Sequence, residues 1–492
     1  MMTRLLLLCS LMAAVHAAGY FEIEVIDDAT NRGVPLIELE TVNHLKFVTD
    51  SAGRVAVSES SFEDRTVFFH VRGHGYEFPK DGFGIQGVQI KVRAGTKHPL
   101  KVKRLNIAER IYRITGEGVY RDSLLLGYPV PVKEPLLNGL VLGQDSIQRA
   151  IYKGNIHWFW GDTLRLSYPL GNFRMSGAVS ELPGTTGLSP EAGVNLRYFT
   201  GADGFCKGMF PIEPKGELIW ADGFIVLPDG SGGECLIAHY QRLKGLTEPL
   251  ARGLAIYDDT RDEFQKWRDL DLAEPWRFPH GHPIQLTNWC YFGLAFPSVR
   301  VAARTNAVFN PAEYEAFSCL KGGEVNRDAK GKVIYEWTKQ GPPATPKVEA
   351  ELVKAGKLKL EEAHFQPTDA ESGATIQIHG GNVTWNAWRK RWILIGVQLL
   401  GSSMLGEVWY GEADSPTGPW KKVRKVVTHD RYSFYNPAHH PFFDREGGRI
   451  IYFEGTYTAE FSGNPVQTQR YDYNQIMYRL DLRDPRLKVV TE

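Results

Sequence analysis

From residue 134 onward the chain alternates short apolar runs with polar turns, in units of roughly forty to sixty residues. Residues 143–163 show the pattern most clearly. Gly154-Asn155 is a two-residue turn signal that closes a tight hairpin between strands over 146–152 and 156–160. In that register Lys153 faces Ile156 and Ile147 faces Asp162. Side chains repeat with period two, so Asp145 and Asp162 share a face as diagonal neighbours, roughly 7–8 Å apart at Cα. A second hairpin pairs 218–226 with 234–241 about Pro228-Asp229-Gly230, and a third group passes through Pro279-His280-Gly281-His282-Pro283 into 289–296. A fourth covers 377–388, turns at Arg389-Lys390 into 391–396 and continues over 406–413. A fifth covers 435–443, turns at 444–448 and returns over 450–458, with a last strand at 475–482 that helps close the ring. Repeated short antiparallel sheets at this spacing predict a β-propeller of roughly five blades over 137–492.

The first hundred residues differ. Residues 20–26 alternate like a strand, Asp27-Asp28-Ala29-Thr30-Asn31-Arg32-Gly33 is a polar turn, and Val34-Pro35-Leu36 opens the next strand. Residues 47–55 then read strand, tight turn, strand, through Thr49-Asp50-Ser51-Ala52-Gly53. These motifs resemble the carboxypeptidase-regulatory-like, transthyretin-type unit, and that resemblance implies an accessory β-sandwich over 18–105. Residues 106–136 read as a connector. The stretch at about 310–372 interrupts the propeller pattern with Pro342-Pro343 and a Lys/Glu/Leu/Ala-rich run of helical composition over 348–360, an insertion between blades. The expected fold is all-β: an N-terminal β-sandwich, then a five-bladed β-propeller with one partly helical insertion.

Charge and composition narrow the partners. The formal net charge is +0, from 57 basic and 57 acidic side chains, so no clustered basic excess recommends nucleic acid. Aromatic residues make up 12% of the chain, which suits sugar stacking and β-rich cores alike. Residues 1–17 combine an early Arg4, a leucine-rich core and small residues at Val15 and Ala17, the form of a secretory signal peptide. A chain starting at Ala18, secreted or periplasmic, without a membrane span, is expected. Cys9 leaves with the leader, and Cys206, Cys235, Cys290 and Cys319 remain, at spacings that fit no metal knuckle and leave disulfides and free thiols equally open.

The candidate chemistry lies in two carboxyls beside aromatic strands. Asp145 and Asp162, with Gln144, Trp158 and Trp160 nearby, suggest a sugar site; alternatively Asp162 caps the turn and Asp145 is solvated. Glu454 falls opposite His439 if the 444–448 loop closes symmetrically, as a third acid or as a structural ion pair. His280 and His282 share one strand face, an arrangement for sugar hydroxyls or, with a third ligand, a metal. His379 and Asn382, before Trp385-Asn386, resemble inner-strand polar residues facing a channel or capping inner-strand ends, with Trp385 a further candidate substrate contact, and Tyr435, Asn436, His439 and His440 cluster at the fifth unit.

Together these motifs resemble the five-bladed propeller glycosidases of the arabinanase and β-xylosidase type. The closest likeness, through Asp145 and Trp160-Gly161-Asp162-Thr163, is to the endo-D-arabinanase group. Glu412-Ala413-Asp414-Ser415-Pro416-Thr417-Gly418-Pro419-Trp420 matches an outer-strand signature of such propellers. The arabinanase type implies a first-blade Asp as base, matched by Asp145, a second Asp tuning pKa, and a mid-chain Glu acid for which no residue here is a match. The D-arabinanase likeness implies Asp145 and Asp162 as the catalytic pair. Asp162, desolvated beside Trp160, is then the acid and Asp145 the base, in an inverting hydrolysis of a polysaccharide or oligosaccharide. No cofactor is required, no residue set marks a metal site, and a structural cation such as calcium in the channel is compatible with the fold. A polysaccharide lyase using Tyr435, His439 or His440, and a non-catalytic carbohydrate-binding propeller, are the alternatives.

Overall fold

A computed structural model describes residues 19–214 and 217–490, whose regular structure is mostly strand with few short helices; the expected leader, with Cys9, lies outside them. Residues 21–104 form two four-stranded sheets. One runs in the order Arg54–Val57, Phe21–Asp27, Lys97–Arg104, Tyr76–Glu77, and the other Lys46–Val48, Glu38–Thr41, Thr66–Arg72, Gly87–Lys91. Phe21, Ile23 and Val25 alternate inward from the first sheet and meet Leu39, Phe69 and Val71 of the second in a common core.

Five sheets of four or five strands follow, joined mainly as antiparallel meanders. The first consists of Gln148–Tyr152, Asn155–Trp160, Ser176–Glu181 and Arg197–Tyr198. The second is Leu218–Pro228, Glu234–Lys244, Glu248–Asp258 and Glu263–Leu270. The third begins with Ile284–Leu286 and Trp289–Phe292, the fourth with Ile378–Asn386 and Arg391–Gln398. The fifth is Ser433–His439, Ile450–Thr458, Asn474–Asp481 and, as its outer strand, Glu109–Arg113. This last strand corrects the reading of 106–136 as a plain connector. Its charged residues hid it, because their charges are met by partners. Arg110 donates to the carbonyls of Pro35 (3.0 Å), His74 (3.0 Å) and Leu36 (3.3 Å), which docks the N-terminal sheets on the fifth sheet.

The expected insertion also starts too early. Glu315–Ser318 pairs with Val299–Ala302 as a strand of the third sheet, and Glu336–Thr338 extends it. The helix Pro346–Lys354 does lie in this stretch, begun by Thr345, whose hydroxyl accepts from Val348 N–H. The four cysteines among the described residues, Cys206, Cys235, Cys290 and Cys319, are free thiols.

Candidate active site

The hairpin carrying Asp145 and Asp162 turns at Lys153-Gly154, both at positive φ (48° and 76°), rather than at Gly154-Asn155. Tyr152 pairs with Asn155 and Gln148 with Phe159. Below the turn the same register reappears as Gln144 opposite Thr163. It is therefore one long ladder, broken only at 145–147, and Asp145 stands directly across from Asp162 instead of diagonally. Asp145 N–H donates to Asp162 O (3.3 Å) and Gly161 N–H to Asp145 O (2.8 Å). Ser146 then takes a left-handed backbone (φ 52°), which breaks the ladder and turns the Asp145 carboxyl back on the hairpin. There its Oδ1 accepts from Asp162 N–H (2.9 Å) and its Oδ2 from the Tyr435 hydroxyl (2.8 Å), with Tyr473 as a further donor. Residue 161 must be glycine for this packing: a Cβ there would sit 2.2 Å from Asp145 Oδ1.

Both carboxyls are half-buried. Burial, then the charge of Asp162, push Asp145 up to about 7, against the lowering effect of its hydroxyl and amide donors. Burial also raises Asp162, partly offset by the indole of Trp220, whose Nε1 donates to Oδ1 at 3.2 Å. The environments thus favour the proton on Asp145 and the charge on Asp162, the reverse of the expected order. The tryptophan at Asp162 is Trp220 of the second sheet. Trp158 and Trp160 are fully buried, stacked on each other at 6.4 Å in the core, with Trp158 Nε1 donating to Ser180 (2.8 Å). They cannot stack on a substrate. Gln144 is likewise sealed in, bonded to Ser176 (2.6 Å), Thr163 (3.3 Å) and the Tyr198 hydroxyl (2.6 Å).

Backbone strain gathers around this pair. Ser146, Asn436 (φ 49°), Phe461 (φ 61°) and Tyr473 (φ 61°) are all non-glycine residues in the left-handed region. Asn436 is fixed there by its amide donating to the Ser146 hydroxyl at 2.8 Å, which brings the predicted Tyr435 and Asn436 to the acids.

A second cluster surrounds Arg149, on the first strand of the first sheet. Its Nε donates to His440 Nδ1 (3.1 Å), Nη1 pairs with His282 Nδ1 (2.8 Å) and Nη2 donates to the His439 carbonyl (2.8 Å). An arginine only donates, so Nδ1 of both rings accepts and each neutral ring carries its proton on Nε2. His440 Nε2 lies 2.7 Å from Glu454 Oε1; the partner of Glu454 is therefore His440, not His439. Burial pushes Glu454 up to about 8, and it has no exposed surface from which to reach a glycosidic oxygen. Asn382 is buried as a latch, its amide donating to the His439 carbonyl (3.1 Å) and its oxygen accepting from His439 N–H (2.8 Å). His439 is itself buried between Thr384 (2.6 Å) and Asp444 (2.8 Å).

His280 and His282 face different neighbours: His280 Nδ1 bonds the Phe278 carbonyl (3.0 Å) near Asp222, while His282 turns to Arg149. Among the described residues no group of three or more His, Cys, Asp or Glu is placed to hold a metal ion. His379 is exposed at the start of its strand, and Trp385 is six residues further along Ile378–Asn386. At about 3.3 Å per residue the two are ~20 Å apart, so Trp385 belongs to the other end of the fourth sheet. The structure adds Asp222, which sequence reasoning missed. It lies two residues from Trp220 on the same strand, accepts from Gly281 N–H (2.9 Å), pairs with His239 (2.8 Å) and is held below the usual range, burial being outweighed by these partners. An aspartate followed by glycine inside an eleven-residue strand was the signal for it. A cavity of about 440 Å³ lies elsewhere, between the 113–139 segment and the outer strands of the first sheet, and none of these acids lines it.

No protein-family model and no curated protein matches the chain. Solved structures do match at low similarity. The exo-β-1,3-galactanase of Phanerochaete chrysosporium, 10% identical, aligns over 70% of this chain and 61% of its own, at a TM-score of 0.36. An exo-1,5-α-L-arabinanase from a bovine ruminal metagenomic library, also 10% identical, aligns over 70% and 94% at 0.35. The α-L-arabinofuranosidase arb93a of Fusarium graminearum, 11% identical, aligns over 77% and 99% at 0.36.

Proposed function

We propose that the chain is an exported glycoside hydrolase, its five sheets the blades of one propeller, cleaving a polysaccharide or oligosaccharide with Asp145 and Asp162. The observation that carries this reading is the pair itself: two half-buried carboxyls facing each other across one hairpin, with different donors and unequal proton affinities. Hydrolysis of a glycosidic bond needs one carboxylic acid and one carboxylate within a few ångströms of the scissile bond, held apart in pKa. Asp145 gives its proton to the leaving glycosidic oxygen as the C–O bond breaks. Asp162 takes a proton from the water that forms the new C–O bond, with inversion at the anomeric carbon.

The test is release of reducing ends from a panel of plant, algal and mycobacterial glycans, with anomer configuration followed by NMR. Asp145→Asn and Asp162→Asn should each lower turnover on the active glycan by about 10²–10⁴-fold with the fold intact. Unsaturated, ultraviolet-absorbing products would instead mark a lyase. Full activity in the double variant would end the proposed mechanism.

A further inference from the structure

Beside the acids lies a surface that the two-carboxylate chemistry does not use. Phe461 is 52% exposed, and its ring stands edge-on to Tyr435 at 5.7 Å, 72° between planes. Tyr435 is the residue whose hydroxyl holds Asp145 at 2.8 Å. An exposed phenylalanine at positive φ gains little from burial and strains its backbone, so local packing alone does not account for it. The surrounding turn nevertheless fixes it. The Ser433 hydroxyl donates to the Glu460 carbonyl (2.5 Å), and Ser462 Oγ donates to the Ala459 carbonyl (2.5 Å). Ala459 N–H donates to Asp472 (2.6 Å), and the Asn464 amide reaches the Arg431 carbonyl (3.3 Å). A ring held outward against strain, one residue removed from an acid's hydrogen-bond donor, is placed to meet a ligand.

The charges on this rim restrict what that ligand is. Glu460, next to Phe461, is acted on by Asp472 and Asp162, both of its own sign. Tyr473 lies within the field of Asp145, Asp162 and Glu460 together. At Asp162 the only group offsetting burial is the uncharged indole of Trp220. A uronate or sulfate ester brought here would meet several carboxyls of its own sign, whereas a neutral sugar presents apolar C–H faces to a ring and hydroxyls to carboxylates.

We infer that Phe461 is the stacking platform of the subsite beside Asp145, and that this subsite takes an uncharged sugar ring. The inference rests on the hydrolase reading for the position of the scissile bond, but its test is binding. Isothermal titration of the full chain carrying Asp145→Asn, with arabinotriose, galactotriose, xylotriose and trigalacturonate as probes, should show a neutral trisaccharide bound and trigalacturonate not. Phe461→Ala should weaken that binding at least tenfold, and Phe461→Tyr should restore it within about twofold. In the otherwise wild-type enzyme Phe461→Ala should raise KM far more than it lowers kcat. Unchanged affinity in Phe461→Ala, or trigalacturonate binding as tightly as the best neutral probe, overturns the inference even if the enzyme hydrolyses glycans. Phe461-dependent binding by a protein that hydrolyses nothing would uphold it and sink the hydrolase reading alone.

Discussion

If Asp145 carries the proton at neutral pH, replacing it by asparagine should stabilise the protein, and only at high pH. Its folded-state pKa is raised from 3.8 to about 7, chiefly by burial. Between those values the folded chain holds a proton that the unfolded chain has released. Stability therefore falls as pH rises from about 4 to about 7, and the loss is complete above that window. Three pKa units at about 1.36 kcal/mol each set a ceiling of about 4 kcal/mol. The carboxyl is half-buried and retains some water, which brings the expected figure down to about 1–2 kcal/mol. Asparagine keeps the shape and an oxygen for the Asp162 N–H, and its amide can donate to the Tyr435 hydroxyl oxygen, so little else changes. Urea unfolding at pH 4 and pH 8, followed by tryptophan fluorescence, should show Asp145→Asn equal to wild type at pH 4 and more stable at pH 8. The same difference at both pH values, or a destabilised variant at pH 8, would refute the assignment of the proton.

Two further outcomes follow from the same contacts. Activity against pH should be bell-shaped, its alkaline limb near 7 from Asp145 and its acid limb from Asp162. Trp220→Phe removes the donor that lowers Asp162 and should move the acid limb alone to higher pH; an unmoved limb would take Asp162 out of the base role. Arg149→Leu leaves two imidazole nitrogens without donors, at about 1–3 kcal/mol each, while the His439 carbonyl keeps the Asn382 amide, so the urea midpoint should drop by an amount equivalent to at least about 2 kcal/mol. A variant as stable as wild type would show that the guanidinium does not tie these strands together.

Much of the strand order was legible because the turn chemistry was strong. Asp229-Gly230 and Arg389-Lys390 fall between paired strands as expected, Pro228 ending the first strand opposite Glu234. The register of the key hairpin was not legible, for a definite reason. Moving the turn from Gly154-Asn155 to Lys153-Gly154 slips the pairing by two residues, and a two-residue slip leaves every side chain on its original face. The hydrophobic pattern, which forbids a one-residue slip, is blind to this one. Glu109–Arg113 stayed hidden for another reason: all five residues are buried, yet three are charged, and most of what satisfies them lies far away in the chain. The tryptophans misled because a core and a sugar platform call for the same residue. Only burial separates Trp158 and Trp160 from Trp220 and Phe461, and burial is a property of the assembled sheets.

Glu454 shows why a displaced pKa does not by itself locate an acid. Burial raises it further than Asp145, to about 8 against about 7, so proton affinity alone would name it the catalytic donor. Its surroundings argue otherwise. Arg149 Nε takes up His440 Nδ1, which leaves the His440 proton on Nε2, facing Glu454 Oε1 at 2.7 Å. Glu454 is thus the acceptor at the end of a chain running from a guanidinium through a neutral imidazole, and that chain ends in the core. A proton held there can shuttle only within the network, because no surface of Glu454 meets solvent or ligand. Asp145 has the smaller shift but keeps an open side, with donors fixing one edge of each oxygen and a strained loop presenting Phe461 next to it. What favours Asp145 as the proposed acid is therefore the conjunction of a proton held near neutrality with a path for its delivery.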